Sequence, residues 1–119
     1  VAAAQCNYGK IMEELLWNDP RTYIKDGQDW EKSRRKFGRH FGPNISERWL
    51  QSSGTKVIVR GHEPCQAFRI DHKGKVLTLF SCKQAYPAFK AGYISVSGKQ
   101  LGSVNNANDL ARYVKVLDS

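Results

Sequence analysis

A histidine at the end of a β-branched run is the residue of this chain best placed to do chemistry. Lys56-Val57-Ile58-Val59-Arg60-Gly61-His62-Glu63 climbs out of a turn and stops abruptly at a glycine. Three β-branched residues in succession suit a sheet and suit a helix poorly, so the stretch reads as a buried strand. Gly61 then lets the backbone bend or approach something closely. His62 is delivered to the strand end, where α/β proteins place their ligands. Its imidazole is a common metal ligand and the usual acid or base near neutral pH. A strand-end histidine is also an ordinary structural residue, and spacing alone leaves both readings open.

The second chemical stretch is Lys32-Ser33-Arg34-Arg35-Lys36-Phe37-Gly38-Arg39-His40-Phe41-Gly42, the most basic segment of the chain. Two aromatics and two glycines interrupt it, so it reads as a structured loop. Its functional reading is an anion site, because arginine forks match phosphate oxygens bidentately. A solvated basic face is the plainer alternative.

Whatever positions these residues must come from 119 residues, one domain at most or part of one. A hydrophobic share of 40% and an aromatic share of 11% allow a real core and exclude a disordered tail. The formal charge of +8 points to an anionic partner such as phosphate, nucleic acid or an acidic surface, or simply to solubility. Cys6, Cys65 and Cys82 are widely spaced and odd in number, with no Cys-x-x-Cys pair. Neither a zinc knuckle nor a disulfide framework is supported, and reduced thiols in a cytoplasmic setting are expected. No apolar run approaches a membrane span. Val1-Ala2-Ala3-Ala4 has no basic region and no long apolar core, so it is not expected to be a signal peptide. The missing initiator methionine fits a fragment or a processed chain.

In chain order, Tyr8–Trp17 reads as a short helix with Ile11, Met12 and Leu15 facing inward, or its Leu15-Leu16-Trp17 end as a strand. Asn18-Asp19-Pro20 ends it, and Arg21–Trp30 reads as loop. Asn44 is expected to cap a helix over Ile45–Gln51 that buries Ile45, Trp49 and Leu50 and ends before Gly54. Gln66–Asp71 reads as a strand, Asp71–Lys75 as a hairpin turn and Val76–Phe80 as a strand. Ser81–Ala91 reads as an irregular loop and Gly92–Ser97 as a further strand, with hairpin turns at Gly98 and Gly102. Asn108–Leu117 is divided between helix and strand signals.

The order of motifs resembles the metal-dependent serine/threonine protein phosphatases, the phosphoprotein phosphatase family of calcineurin-like metallophosphoesterases. Leu15-Leu16-Trp17-Asn18-Asp19-Pro20 is similar to that family's Leu-Leu-Trp-Ser-Asp-Pro. Arg35, seven residues before Gly42, resembles the arginine of its Arg-Gly-Val-x-Tyr-x-Phe-Gly segment. Val59-Arg60-Gly61-His62 is similar to Val-x-Arg-Ala/Gly-His, and Val76-Leu77-Thr78-Leu79-Phe80-Ser81 to the Val-Thr-Leu-Phe-Ser strand. Ala91-Gly92-Tyr93 resembles the following Asn-Ala-Gly-Ala. The resemblance covers about residues 11 to 97.

The resemblance implies a single partial domain, 1–119, that is the C-terminal portion of a phosphatase catalytic domain. The implied fold is α/β, the C-terminal half of a β-sandwich flanked by helices, its strands mostly antiparallel or mixed. His62 would be a metal ligand and Arg35 the phosphate-gripping arginine, with Arg34 a competitor for that role. Tyr86 would hang over the metal centre, although Ser81-Cys82-Lys83-Gln84-Ala85-Tyr86 sets it one residue off the family's Ser-Ala-Pro-Asn-Tyr. The implied reaction is hydrolysis of phosphoserine and phosphothreonine monoesters by a water activated between two divalent ions, manganese, iron or zinc. Nothing here matches Gly-Asp-x-His-Gly, Gly-Asp-x-Val-Asp-Arg-Gly or Gly-Asn-His-Glu, so the other ligands would lie outside this chain. His40 and His72 are expected to be solvated rather than ligands. The implied partners are a phosphoprotein substrate and either an N-terminal half or a second copy. An alternative is a metal-free phosphate or phosphopeptide reader using Arg34, Arg35 and Arg39; a nucleic-acid binder stacking bases on Phe37 and Phe41 is the remoter one.

Overall fold

A computed structural model describes residues 8–118. Cys6 and the Val1–Ala4 segment lie outside the described residues. The first element, α1 (Tyr8–Trp17), stops at Asn18-Asp19-Pro20, as the proline predicts. Its apolar residues do not face inward, however: Ile11, Met12 and Leu15 are all exposed, and no residue of the helix is buried. An amphipathic helix needs an apolar surface beside it, and among the described residues α1 has one only at its end, where the half-buried Trp17 meets Phe37 and His62.

Asp19–Pro20 (β1) runs parallel to Arg39–Phe41 (β3), which pairs antiparallel with Trp30–Lys32 (β2). The sheet order β1-β3-β2 leaves β1 at an edge, where Pro20 removes no needed donor. The segment read as loop, Arg21–Trp30, is one except for a 3-10 turn at Lys25–Gly27 and its last residue, Trp30, which opens β2. The basic stretch is a hairpin, β2 and β3 joined by a tip at Ser33–Gly38. α2 (Pro43–Ser53) follows, with Gly42 rather than Asn44 as N-cap and Pro43 in the first turn, where its missing N–H costs nothing. Gly54 caps its end in the left-handed conformation. Leu50 is buried and Ile45 half-buried, but Trp49 projects into solvent at 60% exposure.

A second sheet has the order β4-β6-β5, with β4 at Ile58–Arg60, β5 at Phe68–Asp71 and β6 at Val76–Leu79. β6 pairs parallel with β4 and antiparallel with β5, through the expected turn at Asp71–Lys75. Because β6 is central and covered on both faces, Val76, Leu77 and Thr78 are all fully buried. β4 is an edge strand, so Val59 is half exposed and the expected burial of that run falls on β6 instead.

Ala91–Ile94 (β7) pairs antiparallel with Val114–Leu117 (β8) in a two-stranded ribbon. Between them Gly98–Leu101 forms α3, not a hairpin turn. Ser97 and Gln100 make a reciprocal capping box there, satisfying two orphan amides. The divided signals of the tail are both real: Asn106 caps α4 (Ala107–Ala111), and β8 follows it. α4 closes the core, in which Leu77, Val104, Ala107 and Leu110 cluster against Phe68, Ile70 and Ile94. The architecture is the expected α/β class, with parallel and antiparallel pairing mixed in each of the two three-stranded sheets.

Candidate functional site

β4 delivers His62 two residues beyond its end, with φ at 69°. That left-handed backbone is unfavourable for a side chain bearing a Cβ, by about 1–3 kcal/mol, and persists only where the surroundings hold it. Here they do. The His62 carbonyl accepts from Arg35 Nη1 at 2.7 Å, and its Nδ1–H donates to the Leu16 carbonyl at 2.8 Å. The imidazole also meets Trp17 edge-to-face, ring centroids 5.0 Å apart. A carbonyl only accepts, so Nδ1 carries a hydrogen and Nε2 is the ring nitrogen left for another partner. Histidines that bind metals are typically oriented this way, by donating their other N–H to a carbonyl or carboxylate. Leu16 lies in the last turn of α1, where carbonyls lack helical partners, so this acceptor follows from where the helix stops.

Arg35 serves the same carbonyl. Its Nε and Nη2 form a fork on Asp19, both bonds 2.8 Å, and Nη2 also donates to Leu16 O at 3.1 Å. Its guanidinium lies 4.7 Å from the Trp17 ring centroid. Of the five N–H bonds an arginine offers, four are spent on Asp19, Leu16 and His62, leaving one on Nη1. Ser33 Oγ accepts the Arg35 amide and holds the hairpin tip. Gly38, at φ 80°, closes that tip against α1: a Cβ there would stand 2.3 Å from the Trp17 carbonyl oxygen.

Asp19 is fully buried and binds a second guanidinium, Arg60 Nη2 at 2.8 Å. Arg60 continues to Glu63 at 2.9 Å, and Glu63 also takes Arg69 and Arg21, both at 2.7 Å; Arg69 then reaches Asp71 at 2.8 Å. The result is one network of alternating charge running from the hairpin tip and β1 through β4 to β5. Burial alone would raise the Glu63 carboxyl, but hydrogen bonds and charge from Arg69 and Arg21 outweigh it and hold it below its ordinary value. Reading the sequence missed this network. Its members are scattered from Asp19 to Asp71, and the local hints are the pairs Arg60–Glu63 and Arg69–Asp71.

The other expected site residues stand apart from His62. Arg34 is exposed on the hairpin tip. Tyr86 stacks on Phe89, centroids 5.7 Å apart, and touches Phe80 edge-on, with no hydrogen bond or ring contact to His62 among the described residues. His40 and His72 are not solvated: each is 3% exposed. His72 Nε2–H donates to the Arg21 carbonyl and Nδ1 accepts from Ser46, so it is locked neutral between α2 and β1, and burial pushes its pKa down. His40 Nδ1 donates to Glu31, while its Nε2 has no partner among the described residues. Phe41 is held between Trp30 and His72, which removes it as a stacking surface. Cys65 and Cys82 are free thiols, as expected.

As a metal donor, His62 fits: its Nδ1–H is committed to the Leu16 carbonyl, its Nε2 is the ring nitrogen left over, and the residue is exposed at a strand end. Among the described residues no group of three or more His, Cys, Asp or Glu side chains gathers into a complete cage. No helix among them is long and apolar enough to cross a membrane.

The model of the calcineurin-like phosphoesterase family matches residues 4–66, which includes α1, the hairpin, β4 and His62. Serine/threonine-protein phosphatase T of Aspergillus oryzae is 35% identical over 72 residues, 60% of this chain and 14% of that protein. Serine/threonine-protein phosphatase 5 of Solanum lycopersicum is 38% identical over 72 residues, 60% of this chain and 12% of its own. Serine/threonine-protein phosphatase with EF-hands 1 of Rattus norvegicus is 35% identical over 88 residues, 71% of this chain and 13% of that protein. The chain therefore spans only a small part of the length of these relatives. A solved protein serine/threonine phosphatase from Saccharomyces cerevisiae, with similarity to human phosphatase PP5, superposes with a TM-score of 0.60 at 25% identity, over 85% of this chain and 31% of that one. A family of metallophosphoesterases implies divalent metal, which agrees with the exposed, pre-oriented Nε2 of His62. With its order of motifs, its fold and more than half its residues matched, this chain belongs to the calcineurin-like phosphoesterase family.

Proposed function

We propose that this chain supplies one side of a protein phosphatase site that hydrolyses phosphoserine and phosphothreonine monoesters. It forms a partial domain whose remaining metal ligands lie outside the described residues. The observation that carries this reading is His62 itself: strained, exposed, and held through Nδ1 by Leu16 O, which leaves Nε2 as its remaining donor atom. Two divalent ions, manganese, iron or zinc, would supply Lewis acidity and an activated water. His62 would hold one of them. Arg35 offers the phosphate its single uncommitted N–H, and its charge is kept close by the Asp19 fork. Arg34, exposed beside it, adds longer-range attraction for the anion. Tyr86 would form an aromatic wall, its ring already fixed by Phe80 and Phe89. The open apolar face of α1 would be covered by the rest of a catalytic domain or by a second copy, in a cytoplasmic setting.

The test is manganese-dependent hydrolysis of an aryl phosphate by the protein and by His62→Ala, with Mn2+ binding followed in parallel by electron paramagnetic resonance. Metal binding and any turnover should both fall with His62. Unchanged binding in the variant would remove His62 from the site. A second reading, a metal-free phosphopeptide binder, draws on Arg34 and Arg39, both exposed. Phosphopeptide affinity unaffected by a chelator would favour it.

A further inference from the structure

The β2–β3 hairpin places Lys32 directly opposite Arg39 in its antiparallel register. Like charges facing each other across strands repel and destabilise the pairing. Both side chains are exposed, and neither enters an ion pair among the described residues. Of the nearby carboxylates, Asp29 pairs with Arg48, and Glu31 accepts from His40 through one oxygen and from the Lys25 amide through the other; Glu13 and Glu14 line an adjoining cavity with Arg39 but form no ion pair with it. The unrelieved pair borders a cavity of about 320 Å³ lined by Gln28, Trp30, Glu31, Lys32, Gly38 and Arg39. An oxyanion seated between the two cations would cancel their repulsion, and Trp30 offers an apolar wall for the carbon chain that carries it.

The cavity is tied to His62 through one residue. Gly38 packs on the Trp17 backbone, Phe37 meets the Trp17 ring at 5.4 Å, and that ring meets His62 at 5.0 Å. We propose that Lys32 and Arg39 form a selectivity subsite for an acidic side chain a few residues from the phosphorylated residue of a peptide substrate. This depends on the phosphatase reading for its register, though the carboxylate contact itself does not require metal.

Four peptides separate the two ideas: phosphorylated or not at a central serine, each with either two glutamates or two glutamines at the flanking positions. Binding is followed by tryptophan emission at low ionic strength. The glutamate peptides should bind about fivefold tighter whether or not they are phosphorylated, a gain typical of exposed ion pairs. The gain should fade at physiological salt. Lys32→Gln and Arg39→Gln should each erase it while the urea midpoint stays level or rises, because repulsion is relieved. Equal affinity for glutamate and glutamine peptides, or no binding at all, overturns the subsite. So does a preference that survives both substitutions, or a midpoint that falls with them, since the pair would then be structural. A glutamate preference without any effect of phosphorylation upholds the subsite and counts against the phosphatase reading; the reverse pattern upholds only the latter.

Discussion

Replacing Asp19 by Asn tests whether the charge network holds the His62 loop in place. Asp19 is fully buried and takes three guanidinium bonds, two from Arg35 and one from Arg60. Asparagine keeps one oxygen but turns an amide N–H toward arginine donors and removes the only full negative charge between them. Breaking a buried ion pair from one side costs about 3–5 kcal/mol. Arg60 retains Glu63, Thr78 and the Asn18 carbonyl, so the lower end, about 3 kcal/mol, is expected. At roughly 4 °C per kcal/mol for a chain of this size, the melting temperature should fall by about 12 °C. Urea unfolding read by tryptophan emission measures the loss. Emission should also change in the folded state, because Arg35 would leave the Trp17 face. A loss below about 1 kcal/mol, no more than an exposed pair is worth, would show that the network is decoration.

Three further outcomes follow from the same geometry. Stability should decline as pH falls from about 6.5, the ordinary histidine value, because His72 is protonated in the unfolded chain but resists it when buried. The unfolded state then binds more protons, so stability rises with pH across that window. Urea midpoints between pH 7.5 and 5 should show the slope, flattened in His72→Asn, whose side chain tolerates the left-handed backbone. Glu63, held below its ordinary value, adds a separate loss beginning under about pH 4.5. Gly38→Ala should cost about 2–3 kcal/mol by urea unfolding, since it combines a positive φ with a clash against Trp17 backbone. Leu15→Glu should leave stability within about 0.5 kcal/mol, because that side chain is 65% exposed, yet reduce self-association in sedimentation velocity if α1 is a contact face.

The legible parts of the chain were those governed by neighbours in sequence. Val76–Phe80 was legible as a strand, which the structure forms over Val76–Leu79, and Asp71–Lys75 as a turn by Gly74. Gly54 marked the end of α2 because a left-handed cap favours glycine. Illegible were features set by what lies across space. Trp49 and the α1 residues look like core by type, yet nothing among the described residues covers them. His40 and His72 look like loop histidines, yet tertiary contacts bury both. Gly98 and Gly102 suggested turns because glycine is permissive, while the Ser97–Gln100 capping box decided for a helix.

Of the candidate site, sequence alone determined the residue types and their order: a histidine after a β-branched strand, an arginine in a basic hairpin, and the motif succession that marks the family. Tertiary structure decided what those residues do. It turned His62 so that Nδ1 meets Leu16 O, and it spent most of the Arg35 donors on Asp19, Leu16 and His62. It also set Lys32 against Arg39. The physical reason is that hydrogen bonds and ion pairs act over a few ångströms. Residues sixteen to forty-six positions apart, as Asp19 is from Arg35 and Leu16 from His62, become neighbours only when the chain has folded.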